Sequence, residues 1–217
     1  MSVETVVQGR APGNEARARI VVQAARLASS TGLEGLTIGS LADHLGMPKS
    51  SLYTLFGSKE ALQLATVESA RRTFTEVVVA PSFAGHRTGT ALLAALAANY
   101  LDHVRRRVFP GGCFFTTGAA EFGSRSGDVH DLIARSRAEW EQIVCAAAEQ
   151  AVANGELAEG VEPAQLGFEL CAMLTGAAIY SVLHDDDGYC DRAQAAIDTL
   201  IERVSRRSAR ASTGTPA

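Results

Sequence analysis

Three features of the sequence predict an all-α chain of about nine helices. Apolar residues recur at spacings of three and four through most of its length, the period of helices with one buried face. Clusters of Gly, Pro, Ser and Asn cut that pattern into segments of helical length. No stretch alternates apolar and polar residues as a strand would, and no internal repeat or glycine-rich phosphate loop appears. With 217 residues, 47% of them hydrophobic, the chain can bury a good core in one or two domains.

Residues 1–13 hold Gly9, Pro12 and Gly13 without periodicity and read as a flexible arm. The first helix is expected over 15–30, with Ile20, Val21, Ala24, Leu27 and Ala28 as its stripe and Thr31-Gly32 as its stop. Thr37 can cap the second helix, whose opening N–H groups lack intrahelical partners. Ile38, Leu41, Ala42 and Leu45 give that helix an apolar face, and Gly46 can end it in the left-handed conformation. Pro48 suits the first turn of a third helix. There Leu52 and Phe56 point inward, leaving Lys49, Ser50, Ser51, Tyr53 and Thr54 largely outward. Two short helices joined by a Gly-containing turn form the DNA-binding helix-turn-helix. Ser58 is the expected cap of a fourth helix that continues to about residue 78, and 81–88 reads as a loop.

Further helices are expected over 89–108 and 113–122, separated by Pro110-Gly111-Gly112. A loop at 124–127 leads to a seventh helix over 128–153, stopped by Asn154-Gly155. The eighth starts after Pro163 and ends near the acidic run at 185–187. The ninth spans about 190–207, and the last ten residues read as disordered.

The run LADHLGMPKSSLYTLFGSKEAL resembles the DNA-binding signature of the tetracycline-repressor (TetR) family of bacterial transcription regulators. Gly46, the pair Leu52-Tyr53, and Phe56, Lys59 and Leu62 stand where that family has its Gly before the turn, its Leu-Tyr pair and its Phe-x-x-Lys-x-x-Leu lead into the next helix. Leu55 departs from a usually polar position, and Pro48 from one where Ser or Thr is common. The close match covers roughly residues 17–65, and the rest agrees in helix pattern. The resemblance implies a DNA-binding domain at 14–60 and a ligand-binding and dimerisation domain at 61–208.

Net charge is −4, but residues 1–60 carry six Lys/Arg against five Asp/Glu, and the only two lysines, Lys49 and Lys59, both lie there. So small a positive charge implies weak sequence-independent DNA binding, with affinity coming from a dimer and fitted contacts. Cys113, Cys145, Cys171 and Cys190 form no CxxC pair, which argues against a zinc site or a secreted disulfide framework. The nearly uncharged run at 170–183 is 14 residues, short for a membrane span, and the N-terminus lacks an apolar signal core. The expectation is a cytoplasmic protein that makes no membrane contact.

Lys49 can reach a phosphate or a guanine edge, and Ser50, Ser51 and Thr54 can donate to phosphates or bases. Tyr53 can pack its ring in the core or bond a phosphate through its hydroxyl. Lys59 and the free N–H groups that open its helix can meet the DNA backbone, as can those capped by Thr37. The stretch from Leu166 to Leu183 is apolar around most of its circumference, and Ala193 to Val204 follows with its own stripe. Gly176, Ala177 and Ala178 would allow close helix approach. That pattern fits a dimer interface or a helix buried within one subunit, and the resemblance favours a homodimer through these two helices.

The resemblance also implies a small-molecule pocket in the C-terminal domain. Its candidate lining is Phe74, Tyr100, Phe114, Phe115, Phe122, Trp140, Met173 and Tyr180, any of which can also be plain core. Cys113, Thr117 and Glu121 fall at i, i+4 and i+8 and read as a polar line on one face. Glu121 can alternatively pair with Arg105 or Arg137. Cys113, near a helix N-terminus, is either a reactive thiol or a small buried apolar residue. His103 reads as surface. No hydrolytic triad, metal motif or carboxylate pair is visible, so neither cofactor nor metal is expected. The function implied is a one-component transcription regulator, a repressor that binds a palindromic double-stranded DNA operator and is released by a small apolar or aromatic effector. The alternatives are an interaction protein of this fold that has lost DNA binding, and an all-α enzyme using the apolar pocket.

Overall fold

The structure, a computed structural model, describes residues 12–205. The arm expected at 1–13, apart from Pro12 and Gly13, and the tail beyond 207 lie outside them. Nine helices of eight or more residues carry the described fold, which is all-α as predicted: α1 (Pro12–Thr31), α2 (Ile38–Leu45), α3 (Lys49–Phe56), α4 (Lys59–Phe74), α5 (Gly89–Arg105), α6 (Phe114–Phe122), α7 (Asp128–Ala153), α8 (Pro163–Leu183) and α9 (Gly188–Val204).

Local chemistry accounts for the first three turns. Thr37 Oγ1 accepts from the Ser40 N–H at 3.0 Å while Ser40 Oγ accepts from the Thr37 N–H at 2.9 Å, so each satisfies a donor the helix start leaves free. Gly46 sits at φ 62°, which lets the Met47 N–H turn back to the Ala42 carbonyl and close α2. Ser58 Oγ accepts from the Ala61 N–H and opens α4. Leu41, Leu52 and Leu62 are fully buried behind these turns, each stabilising the head by about 1.5–3 kcal/mol. Leu55, the departure from the family pattern, is half-buried and packs on the same core.

Beyond Phe74 the fourth helix does not stop. It widens into a π-helical turn, Thr75–Val79, and continues as Ala80–Ser82 before a short 3₁₀ turn, Ala84–His86. Pro81 offers no N–H and crowds the carbonyl four residues back, which favours the wider turn. The helical path therefore reaches into the stretch expected to be a loop. At its other end the chain differs again: α9 closes at Val204 rather than 207, because Ser205 turns extended and bridges Leu157.

α7, α8, α5 and α9 pack against one another as the C-terminal bundle, and α4 lies along α1 on one side and α7 on the other. The eighth helix runs the 21 residues from Pro163 to Leu183, close to its expected bounds, and by length and composition alone is apolar enough to cross a membrane. It is packed instead between α5, α7 and α9.

Candidate nucleic-acid interface and effector core

On α3 the side chains of Lys49, Ser50, Ser51, Tyr53 and Thr54 are all exposed, on the side opposite buried Leu52 and Phe56. Tyr53 is 63% exposed, which removes the core-packing role open to it. Lys49 has only a loose ion pair with Asp43 at 4.0 Å, both side chains being well solvated. Thr54 Oγ1 donates to the Ser50 carbonyl at 2.9 Å and keeps its lone pairs free. Thr37 is exposed, with its hydroxyl committed to the cap.

Lys59 differs from Lys49. Its ammonium donates to Glu34 Oε1 at 2.9 Å, and the Arg125 guanidinium takes the other oxygen of Glu34 at 2.9 Å. The hydrogen bond from Lys59, opposed by slight burial and aided by both cations, holds the Glu34 carboxyl below its usual range. Glu121 completes this junction. Its two oxygens accept from the backbone N–H groups of Leu33, at 3.2 Å, and Glu34, at 2.9 Å. Gln63 donates to the Leu33 carbonyl from α4 at 2.8 Å. The turn between α1 and α2 is thus gripped by α6 and α4 together.

Glu121 therefore leaves the proposed ligand line, and it pairs with neither Arg105 nor Arg137. The reason is helical drift: steps of four overshoot a full turn by about 40°, so i and i+8 diverge by roughly 80°. Cys113 and Thr117 face α8, and Glu121 faces the DNA-binding head. A second junction lies at the other end of α6. The backbone of Gly111 presses against the Ser29 carbonyl, where any Cβ would collide, and its N–H donates to Ser29 Oγ at 3.2 Å. Arg26 of α1 donates to the Val108 carbonyl of the same loop at 2.6 Å.

Inside the C-terminal bundle the aromatics gather around Phe74. Tyr100, His103, Phe115 and Trp140 all stand edge-on to its ring with centroids 5.1–6.1 Å away. Phe74, Tyr100, Cys113, Phe115, Ser136, Arg137 and Trp140 enclose a cavity of about 10 Å³, the room of about one water. A wider groove of about 370 Å³ runs between α6 and α8, lined by Gly111, Cys113, Thr116, Thr117, Ala120, Ala178, Ile179, Val182 and Leu183. Cys113 is a wall of both.

Five of the expected lining residues thus meet at the inner cavity: Phe74, Tyr100, Cys113, Phe115 and Trp140. Thr117 lies in the groove. Phe114 and Phe122 are buried and Met173 is half-buried, and none of the three lines either space. Tyr180 belongs to another site: 49% exposed, it stacks with His184 and Tyr189 at the corner between α8 and α9. Arg107 binds the acidic run there, 3.2 Å from Asp187.

Sequence reasoning missed His103. It is 1% exposed, not surface, and both ring nitrogens lack a hydrogen-bond partner among the described residues, as does the buried Tyr100 hydroxyl. Its flanks, Asp102 and Arg105-Arg106-Arg107, concealed it, although Tyr100, His103 and Val104 at helical spacing mark the inner face of α5. Burial pushes the Cys113 thiol up, but the imidazole of His103 and the hydroxyl of Tyr100 beside it outweigh that and bring it down to about 6. Burial first, then the adjacent sulfur, keeps the Tyr100 hydroxyl protonated well above its ordinary range.

The small residues expected to admit a partner helix also divide. Ala177 and Ala178 are buried in their own subunit, while Gly176 faces open space. The outer face of α8 carries Phe168, Ala172, Gly176, Ile179 and Leu183 at spacings of three and four, with Phe168 60% and Leu183 69% exposed.

Comparison with known proteins agrees with this architecture. No curated protein matches the chain in sequence. Among solved structures, a TetR transcriptional regulator from Chloroflexus aurantiacus superposes with a TM-score of 0.81 at 24% identity, over 89% of this chain and 97% of the other. A TetR-family regulator from Cytophaga hutchinsonii gives 0.78 at 17% identity, over 92% and 100%. One from Streptomyces coelicolor gives 0.74 at 22%, over 88% and 96%. Residues 20–66 match the bacterial regulatory proteins of the tetR family, and residues 89–197 match the tetracyclin repressor-like C-terminal domain. With half of its length in the second match alone, the chain belongs to the TetR family of transcriptional regulators.

Proposed function

We propose that the protein is a homodimeric repressor that reads a palindromic operator through α3 and leaves it when a small molecule occupies the C-terminal bundle. The observation that carries this is the exposed face of Lys49, Ser50, Ser51, Tyr53 and Thr54 on a helix set between α2 and α4, whose starts are both capped. Thr37 and Lys59 stand at the starts of the flanking helices, where free N–H groups favour phosphates. The DNA-binding unit is 14–60 and the effector and dimer unit 61–208, with α4 running through both. The protein acts in the cytoplasm, and its role is regulatory rather than enzymatic.

The stripe of Phe168, Ala172, Gly176, Ile179 and Leu183 supports dimerisation, because an apolar helix face of this length is costly to leave in water. The two recognition helices then meet half-sites roughly 34 Å apart or a multiple of that. The test uses a palindrome recovered by in vitro selection. Binding should be two protomers per site, and Lys49→Ala should lower the salt slope by about one unit per protomer. Ile179→Arg should yield folded monomers by sedimentation with operator binding lost, since an unpaired charge cannot enter a packed interface. A fully dimeric Ile179→Arg variant, or parental binding by Lys49→Ala, would refute the respective assignment.

A further inference from the structure

Four arginines are half-buried among the described residues: Arg71, Arg105, Arg107 and Arg137. Three of them hold carboxylates, Arg71 with Glu139 at 2.7 Å, Arg105 with Asp191 at 2.6 Å and Arg107 with Asp187 at 3.2 Å. Arg137 holds none among the described residues, and its guanidinium reaches only the Thr175 hydroxyl, at 3.5 Å. A charge partly withdrawn from water gains most from a counter-charge, and such groups gather at binding sites. Arg137 is a wall of the inner cavity. Tyr100, another wall, buries a hydroxyl with no partner among the described residues at 1% exposure. Burial dominates that hydroxyl and raises its pKa, yet the Arg137 guanidinium is near enough to pull against it.

Most of the remaining walls are rings. Phe115 and Trp140 stand edge-on to Phe74, and Trp140 stacks on Tyr100 at 5.7 Å. We propose that the inner cavity binds a small aromatic carboxylate, with the carboxylate on Arg137 and the ring among Phe74, Tyr100, Phe115 and Trp140. A planar guanidinium fork matches a planar carboxylate through two parallel hydrogen bonds. A phosphate dianion would bring a second charge, and the wall has no second cation among the described residues. A neutral arene would leave the guanidinium without a counter-charge. This deepens the repressor reading by naming its effector class, and only the consequence for DNA rests on that reading.

At about 10 Å³ the cavity has the room of about one water, so an aromatic ring enters only by displacing a wall. Phe74 is the wall placed to move. It is 8% exposed, against 1% for Tyr100 and 5% for both Phe115 and Trp140, and so lies nearest the surface. It is also the last residue of α4 before the π-helical turn Thr75–Val79. A π turn holds one residue more than a regular turn, and such turns recur at functional sites. Tightening it turns Phe74 about the axis of α4 while the helix stays continuous. The same helix carries Lys59, bound to Glu34, and Gln63, bound to the Leu33 carbonyl. A turn at Phe74 is thus passed to the α1–α2 turn and the reading head.

The experiment titrates benzoate into the full chain by calorimetry, with the fluorescence of Trp140, the single tryptophan, as a second readout. Benzamide is the neutral match and cyclohexanecarboxylate the non-aromatic one. Benzoate should bind and change the fluorescence, and each control should bind about tenfold more weakly or worse. Arg137→Gln should cost benzoate about tenfold at a near-parental melting temperature and leave the weak affinity for benzamide unchanged. Arg137→Lys keeps the charge and should restore part of the loss. Phe74→Leu removes the ring that must turn and should strengthen binding severalfold. Operator release by benzoate should follow the same pattern. No benzoate binding at millimolar concentration, equal binding of benzamide, or parental affinity in Arg137→Gln overturns the site. Equal binding of cyclohexanecarboxylate overturns the aromatic class, and weaker binding by Phe74→Leu overturns the entry route. Arg137-dependent binding that leaves operator bound overturns the effector role. Arg137-dependent binding in a protein that binds no operator upholds the site and refutes the repressor reading instead.

Discussion

The exposed face of α3 and the aromatic core of the C-terminal bundle use polar side chains in opposite ways. On α3, Lys49, Ser50, Ser51 and Tyr53 stand in water, so their hydrogen bonds can be exchanged for bonds to DNA at little cost. In the core, Tyr100 and His103 have lost water without gaining a partner among the described residues. The first arrangement costs the fold almost nothing. The second is a standing penalty that packing of the aromatic cluster must offset. The head can therefore be altered for binding without loss of stability, whereas the core couples the two.

The contrast is sharpest between Phe74→Ala and Tyr53→Ala. Phe74 meets four rings edge-on, and its loss should destabilise the protein by about 3–5 kcal/mol. Tyr53→Ala should leave the melting temperature unchanged, within about 0.5 kcal/mol, and act on operator affinity alone. A denaturant series on both variants, paired with operator titration, checks this. A marked stability loss in Tyr53→Ala would erase the distinction.

Glu121→Gln probes the junction between the regions. The substitution leaves an amide donor facing the Leu33 and Glu34 N–H groups, so at least one of those bonds fails, at about 1–3 kcal/mol. Operator affinity without effector should fall while the aromatic core stays intact by near-ultraviolet circular dichroism. Unchanged affinity would mean that α6 does not hold the reading head.

The smallest effect is the acid response of the same junction. Glu34 has its carboxyl held below 4.5 when folded, chiefly by the Lys59 hydrogen bond. Its contribution is therefore complete above the unfolded value and fades as pH falls through the lower, folded one. The pair is well exposed, so the change is small. Difference titration of the parent against Glu34→Gln should show the parent's advantage shrinking only below about pH 4.5. An advantage that is constant with pH would place the Glu34 contribution outside its charge.

The helix-turn-helix was legible from residues alone because its signals are local. Thr37 with Ser40, Gly46 with Ala42, and Ser58 with Ala61 each act within three or four positions, so the sequence carries both partners side by side. The outward face of α3 followed from Leu52 and Phe56 at one helical turn. Most of the lining of the inner cavity was legible too: Phe74, Tyr100, Cys113, Phe115 and Trp140 are aromatic or soft residues on apolar faces, and they do converge.

What stayed hidden depends on contacts across many residues. Glu121 meets a turn 87 residues earlier in the chain, and no spacing on α6 announces that partner. His103 was concealed by charged neighbours that point the other way. On α8, apolar on nearly every side, periodicity cannot say which small residue faces the subunit's own core, yet the fold buries Ala177 and Ala178 and leaves Gly176 facing open space. Sequence by itself determined where helices begin, end and turn a polar face outward, since those choices are made within one helical turn. Tertiary structure decided which buried groups meet, because burial is settled by the elements that pack on a helix and not by the helix alone.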